Sequence, residues 1–193
     1  FYWKIMETIS KEYLLMQQEL HLNTSYGVAS VVFAPLVSEI ITAYESKSLC
    51  DYGAGKKRLA EALKDLNNLP ELYFPYDPIF PEYGEPKKAD LVSCIDVLEH
   101  IEPDFIDNVI TELSSITTKH CFCTVNRAPA QKILSDGRNA HLIQESTSWW
   151  LEKFVKHFEV IQVTQMKDSH GFWLLLKPKE LYVKEKELHL KVT

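Results

Sequence analysis

Leu49-Cys50-Asp51-Tyr52-Gly53-Ala54-Gly55 decides how the fold is read. A short apolar strand over 47–51 runs into a glycine turn, and Leu59, Leu63, Leu66 and Leu69 then recur at helical spacing over 57–69. Strand, tight turn and helix in direct succession open a βαβ unit. Going outward, the alternation continues. Strands are expected at 71–76, at 89–95, where unbroken apolar character suits a strand covered on both faces, and at 120–125. A helix follows Pro103, which fits a first turn, with Ile106, Val109, Ile110, Leu113 and Ile116 as its apolar stripe. Trp150, Leu151, Phe154, Val155 and Phe158 mark another helix over 148–158. The strands at 160–166 and 172–177 are separated only by the turn Asp168-Ser169-His170-Gly171, so they pair antiparallel. The pattern predicts an α/β domain. Its sheet is doubly wound and mostly parallel, with helices on both faces and an antiparallel C-terminal strand hairpin.

Upstream, Ile5, Ile9, Tyr13, Leu14, Met16 and Leu20 predict a helix over 5–20, and a second helix is expected from about Pro35 to Tyr44, with Tyr26-Gly27 in the break between them. One domain is expected over 1–193, divided into an N-terminal helical lid (1–46), a Rossmann-like core (47–178) and a tail or edge strand (179–193). A content of 46% hydrophobic and 25% charged residues excludes disorder. Lys and Arg number 21 against 27 Asp and Glu, a net charge of −6, which argues against a sequence-independent grip on nucleic-acid phosphates. No apolar run reaches the length of a membrane span and the N-terminal stretch lacks a signal-peptide pattern, so a cytoplasmic protein without a membrane partner is expected. Cys50, Cys94, Cys121 and Cys123 lie in apolar stretches with no C-x-x-C pair and are predicted to be free core thiols. His120, His157, His170 and His189 are scattered without metal-ligand spacing, and no metal is predicted.

Open parallel sheets bind ligands at the carboxyl ends of their strands, where the strand order reverses. Asp51, Gly53 and Gly55 follow the first strand, Asp77 the second, Asp96 the third, and Asn126 and Arg127 the fourth. Core packing does not require carboxylates at three strand ends. A dinucleotide fingerprint would place a small residue where Arg58 stands, and Asp51 would add negative charge beside a pyrophosphate. The acidic turn suits a cationic ligand with an amino group.

These residues resemble class I S-adenosylmethionine (SAM)-dependent methyltransferases. Their first motif, an apolar strand followed by D-x-G-x-G, is matched by Leu49 to Gly55. Ala89-Asp-Leu-Val-Ser-Cys-Ile-Asp-Val-Leu-Glu-His-Ile-Glu-Pro103 is similar to the family segment D-x-V-x-x-x-x-V-L-E-H-I-x-P. The resemblance implies that Asp51, Tyr52, Gly53, Ala54 and Gly55 hold the methionyl part of SAM. It implies further that Asp77, 22 residues beyond the second glycine, accepts from the ribose hydroxyls, and that Pro78 or Ile79 packs on adenine. By the same resemblance Asp96 is expected near the transferred methyl, Val97 and Leu98 are expected to begin the turn over the cofactor, and Glu99 and His100 to fix that turn. Lys57 stands where a third glycine is common. Pro78, Pro81, Gly84 and Pro86 leave no helix between Asp77 and Asp90, so the fold is shortened between the second and third motif strands.

Asp136-Gly-Arg-Asn-Ala-His141 looks like the family loop that shapes the acceptor pocket; Asp96 and His141 are the candidate bases, a loop-capping role being the alternative for His141. Arg127 or Arg138 could orient a polar acceptor, and one of Trp149 and Trp150 is expected in the core while the other lines the acceptor pocket. The implied activity is methyl transfer from SAM to an oxygen or nitrogen acceptor, with S-adenosylhomocysteine (SAH) as product. A small molecule or glycan-type acceptor is favoured, and RNA is the second class through a basic face at Lys56, Lys57, Arg58, Lys87 and Lys88. A non-catalytic SAM-binding sensor or inactive subunit is the competing reading, and a dinucleotide-dependent reductase the weaker third.

Overall fold

Alternation of side chains along a strand divides the apolar residues of this chain between two layers. The computed structural model describes residues 7–21, 28–167 and 170–184. Strands β1 (Ser48–Tyr52), β2 (Leu72–Tyr76), β3 (Ala89–Cys94), β4 (Thr117–Asn126), β5 (Phe158–Gln165) and β6 (Gly171–Pro178) form one sheet in the order β2-β1-β3-β4-β6-β5. β1 pairs parallel with β2 and β3, and β3 with β4; β6 runs antiparallel between β4 and β5. The expected doubly wound sheet with its closing hairpin is present.

On one face, Leu49, Leu91, Phe122 and Leu175 pack against helices α2 (Ala29–Ala43) and α3 (Arg58–Asp65). On the other, Cys50, Val92, Cys121, Cys123 and Leu174 pack against α4 (Ile106–Ile116) and α5 (Thr147–Phe154). All five stripe residues of α4 are buried. The four cysteines are free and buried, with Cys121 and Cys123 sulfurs 3.5 Å apart on one face. Burial pushes the Cys50 thiol up to about 12, which leaves little nucleophilic thiolate.

Several boundaries differ from those expected. Helix α1 (Lys11–His21) starts later than position 5, because Ser10 caps it: Tyr13 N–H donates to Ser10 Oγ at 3.1 Å. Helix α2 begins before Pro35, which lies inside it, because Ala34, Val37, Ile40 and Ile41 form one buried stripe against the sheet. The segment expected as a lid therefore divides, with α2 in a core layer and α1 elsewhere. Residues 179–184 are helical where an edge strand was one of two expectations. Tyr26-Gly27 and the tail beyond 184 lie outside the described residues.

Between β2 and β3 the described chain holds a single 3-10 turn, Pro81–Tyr83. β2 is consequently a sheet edge, where Pro75 is tolerated because an edge strand can spare an N–H. The chain leaves β1 toward β2 on one side and returns through β3 toward β4 on the other, so the order reverses at the carboxyl ends of β1 and β3.

Candidate functional site

The glycine turn after β1 is built by backbone requirements. Gly53 has φ of +80°, and both Gly53 N–H and Ala54 N–H donate to Tyr76 O at the end of β2, at 2.8 and 2.9 Å. A Cβ on Gly53 would stand 2.3 Å from Val97 Cγ2, so the β1 and β3 turns approach as closely as hydrogen permits. Lys57, in the place of a third glycine, also takes a left-handed conformation, with φ of +59°. Its ammonium lies over the Tyr83 ring, and Tyr83 Oη donates to Gly55 O at 2.9 Å. The 3-10 turn thus braces the glycine turn in the absence of an intervening strand.

Asp77 is buried at the end of β2. Its carboxylate accepts from Gly55 N at 3.0 Å and from Ile79 N at 3.0 Å, which ties the two turns together. Burial raises its pKa, and the two backbone donors oppose that shift.

After β3, Asp96 takes φ of +59° and its N–H donates to Thr124 Oγ1 at 2.9 Å. Such backbone strain in a non-glycine residue persists only where the surroundings enforce it. Glu99 is fully buried and its Oε1 accepts from Asn126 N at 2.6 Å, so it does fix this turn. His100 Nδ1 lies 2.8 Å from Ala140 O, joining the turn to the loop before α5. In that loop His141 is buried, with Nδ1 2.5 Å from Ala128 O and its ring edge-on to His100, centroids 4.7 Å apart.

Helix α1 covers this constellation. Glu102 accepts from Ser10 N and Ser10 Oγ, each at 2.8 Å; Tyr13 Oη donates to His100 O at 2.6 Å; and Gln17 Nε2 donates to Tyr13 Oη at 2.6 Å. Beneath it a cavity of about 120 Å³ opens over the carboxyl ends of β1, β2 and β3. Asp77 and Asp96 line it, and no Lys or Arg does among the described residues.

No family model and no curated protein matches the chain. Solved structures do. The 1,6-didemethyltoxoflavin-N1-methyltransferase of Burkholderia thailandensis, with bound 1,6-didemethyltoxoflavin and SAH, superposes with a TM-score of 0.63 at 11% identity, covering 92% of this chain and 98% of that one. The magnesium protoporphyrin IX methyltransferase of Synechocystis PCC 6803, with bound SAH, gives 0.53 at 13% identity, covering 87% and 95%. A DhpI–SAH complex gives 0.56 at 11% identity, covering 88% and 98%. The chain has the class I SAM-dependent methyltransferase fold.

In this methyltransferase fold, Tyr52, Gly53, Ala54, Gly55, Asp77, Pro78, Ile79, Asp96 and Val97 all line the cavity. Leu98 is wholly buried in the core and does not line it. Asp51 is set back: its carboxylate is buried, accepting from Tyr73 Oη at 2.9 Å and Ser93 Oγ at 3.2 Å on the two neighbouring strands. His141 stands behind His100, and it is His100 that reaches the cavity wall. Trp150 is in the core as one of the expected pair; Trp149 packs against that core with Lys153 over its ring, away from the cavity lining. Arg138 pairs with Asp136 at 2.6 Å. Thr8, Ile9, Tyr13 and Gln17 were not anticipated at the cavity. Ser10 as a cap and the Tyr13/Gln17 spacing were the available signals.

Asp51 carries a pH prediction. Burial, opposed by Tyr73 and Ser93, raises its pKa to about 6. The unfolded chain releases this proton near an ordinary value of about 3.9, while the folded protein keeps it. The stability due to Asp51 is therefore present below about pH 4 and falls as pH rises to about 6. Denaturant unfolding at a series of pH values will show a smaller decline over this window for Asp51→Asn than for wild type. Identical pH profiles would refute the shift.

Proposed function

We propose that the chain is a methyltransferase that binds SAM in the cavity over β1, β2 and β3 and transfers its methyl to an oxygen or nitrogen acceptor. The observation that carries this reading is the pairing of a Cβ-intolerant glycine turn with the buried carboxylate of Asp77, both at the cavity wall. The donor set fits a cationic, ribose-bearing ligand. Two carboxylates border the cavity and, among the described residues, no Lys or Arg lines it to meet a pyrophosphate, which weighs against the dinucleotide reading.

When bound, SAM supplies a methyl group on a positively charged sulfur. Asp77 would accept hydrogen bonds from the ribose hydroxyls while its backbone donors hold it in place. Pro78 and Ile79 offer apolar surface for the base. Gly53 and Gly55 let the ligand approach the backbone, and Asp51 holds the glycine turn's strand from behind. Tyr13 and Gln17 close the cavity from above, excluding water and aligning the acceptor. A proton leaving the acceptor would pass to Asp96 or, across the cavity wall, to the His100/His141 pair.

A small-molecule or glycan-type acceptor is favoured by the partly covered site and acidic charge. RNA is the second class; Lys57 and Lys87 lie over the Tyr83 and Phe74 rings beside the β2 edge. Four buried free thiols suit a reducing cytoplasm. No described helix is long and apolar enough to cross a membrane.

Isothermal titration with SAM, SAH and NADH tests the cofactor. Micromolar binding of the first two and none of the third is expected. A folded protein that binds neither sulfur compound is not a methyltransferase. SAH release on incubation with acceptor pools separates an enzyme from the sensor reading, which predicts binding without turnover.

A further inference from the structure

Asp96, His100 and His141 reach one place from the β3 turn, the 3-10 turn Leu98–His100 and the loop before α5. One ligand-capable atom of each lies within 4.8 Å of the others. Both imidazoles are set the same way. His100 Nδ1 meets Ala140 O and His141 Nδ1 meets Ala128 O. A carbonyl only accepts, so each ring carries its proton on Nδ1 and Nε2 is the basic nitrogen. A backbone carbonyl fixing the tautomer in this way is the usual support of a metal-ligating histidine. Next to them, Glu99 Oε2 is buried without a hydrogen-bond partner. A carboxylate and two imidazoles gathered this closely present several lone pairs to one another, and a cation placed among them offsets that repulsion.

We propose that Asp96, His100 and His141 form a binding site for a divalent transition-metal ion at the wall of the cavity. Two imidazoles with one carboxylate favour borderline ions such as Mn²⁺, Fe²⁺, Co²⁺ or Zn²⁺ over Mg²⁺, which prefers oxygen ligands and retains its water. Asp96 and His100 both line the cavity, so the ion faces it with open coordination positions. There it can take an oxygen of a bound molecule and lower the pKa of a hydroxyl. This consequence rests on the methyltransferase reading and points to an oxygen acceptor; the site itself does not depend on it. The expectation of no metal came from His120, His157, His170 and His189, the last of which lies outside the described residues; the cluster here uses two other histidines.

The test uses the full, untagged chain after dialysis against a chelator. Co²⁺ alone is titrated in and followed by its visible ligand-field absorption, with Zn²⁺ and Mg²⁺ as competitors. One equivalent of Co²⁺ should bind, displaced by Zn²⁺ but not by an equal concentration of Mg²⁺. His141→Ala should weaken binding by at least about 10-fold, the scale expected for disturbing a metal's ligand shell. Asp96→Asn, at the cavity wall, gives the same reading if His141→Ala proves unfolded by circular dichroism. No Co²⁺ band in wild type, or wild-type affinity in the folded variants, overturns the site. SAH titration of the same metal-free samples keeps the two proposals separate, since failure of Co²⁺ to bind leaves SAH binding intact if only the metal site is wrong.

Discussion

Asp77→Ala is expected to lower the affinity for SAM and SAH by about 100-fold or more while the protein remains folded. Each hydrogen bond from a ribose hydroxyl to this charged acceptor is worth about 1.5–3 kcal/mol, and two are lost together. The substitution also removes the acceptor shared by Gly55 N–H and Ile79 N–H. The glycine turn and the adenine-side turn then lose their common tie, so affinity falls further than ribose contacts alone require. Asp77→Asn separates the parts. Its single carbonyl oxygen can serve only one of the two backbone donors well, and an intermediate loss is expected. Isothermal titration of folded Asp77→Ala, with circular dichroism as the check, decides the matter. Wild-type affinity in that variant would remove Asp77 from the cofactor site and with it the main support of the proposed activity.

Gly53→Ala should have the largest effect on the fold itself. Two costs add at this position: a side chain at φ of +80°, and a Cβ placed 2.3 Å from Val97 Cγ2. Left-handed strain costs on the order of 1–3 kcal/mol, and overpacking against a β-branched neighbour that cannot swing aside costs a similar amount. A loss of about 2–5 kcal/mol is expected, read as a fall in Tm of about 5–15 °C for a chain of this size. Gly137→Ala is the internal control. It has φ of +87° with nothing within 4 Å of the added Cβ, so it carries strain without the clash and should cost less. Adding Val97→Ala to Gly53→Ala should recover part of the loss, because it removes both methyls that the new Cβ meets. Equal Tm values for the Gly53 and Gly137 variants would show that β3's turn yields to the extra atom. The cavity wall would then be softer than the close approach implies.

Read alone, the sequence determined the layers and the strand ends. Apolar period and glycine turns are local signals, and they were sufficient to place the α4 stripe, the β1 turn and the three carboxylates at Asp51, Asp77 and Asp96. The shortened β2–β3 connection was equally legible, since prolines at 78, 81 and 86 within so short a segment leave room only for the 3-10 turn Pro81–Tyr83. Helix starts were less legible. The second helix was expected from about Pro35, yet burial of Ala34, Val37, Ile40 and Ile41 against the sheet outweighs one missing backbone hydrogen bond.

Only the tertiary structure decided which side chain of each motif faces the cavity. Asp51 and Asp77 both end strands, but Tyr73 and Ser93 on the flanking strands draw Asp51 inward, while Gly55 and Ile79 hold Asp77 at the wall. His100 and His141 are far apart in the chain and meet because Ala140 and Ala128 carbonyls fix their rings. Tyr13 and Gln17 enter the site through α1, which Glu102 fastens at Ser10 from a remote part of the chain. Local propensity depends on near neighbours and can be read along the chain; the direction of a polar side chain depends on hydrogen-bond partners that only folding brings within reach.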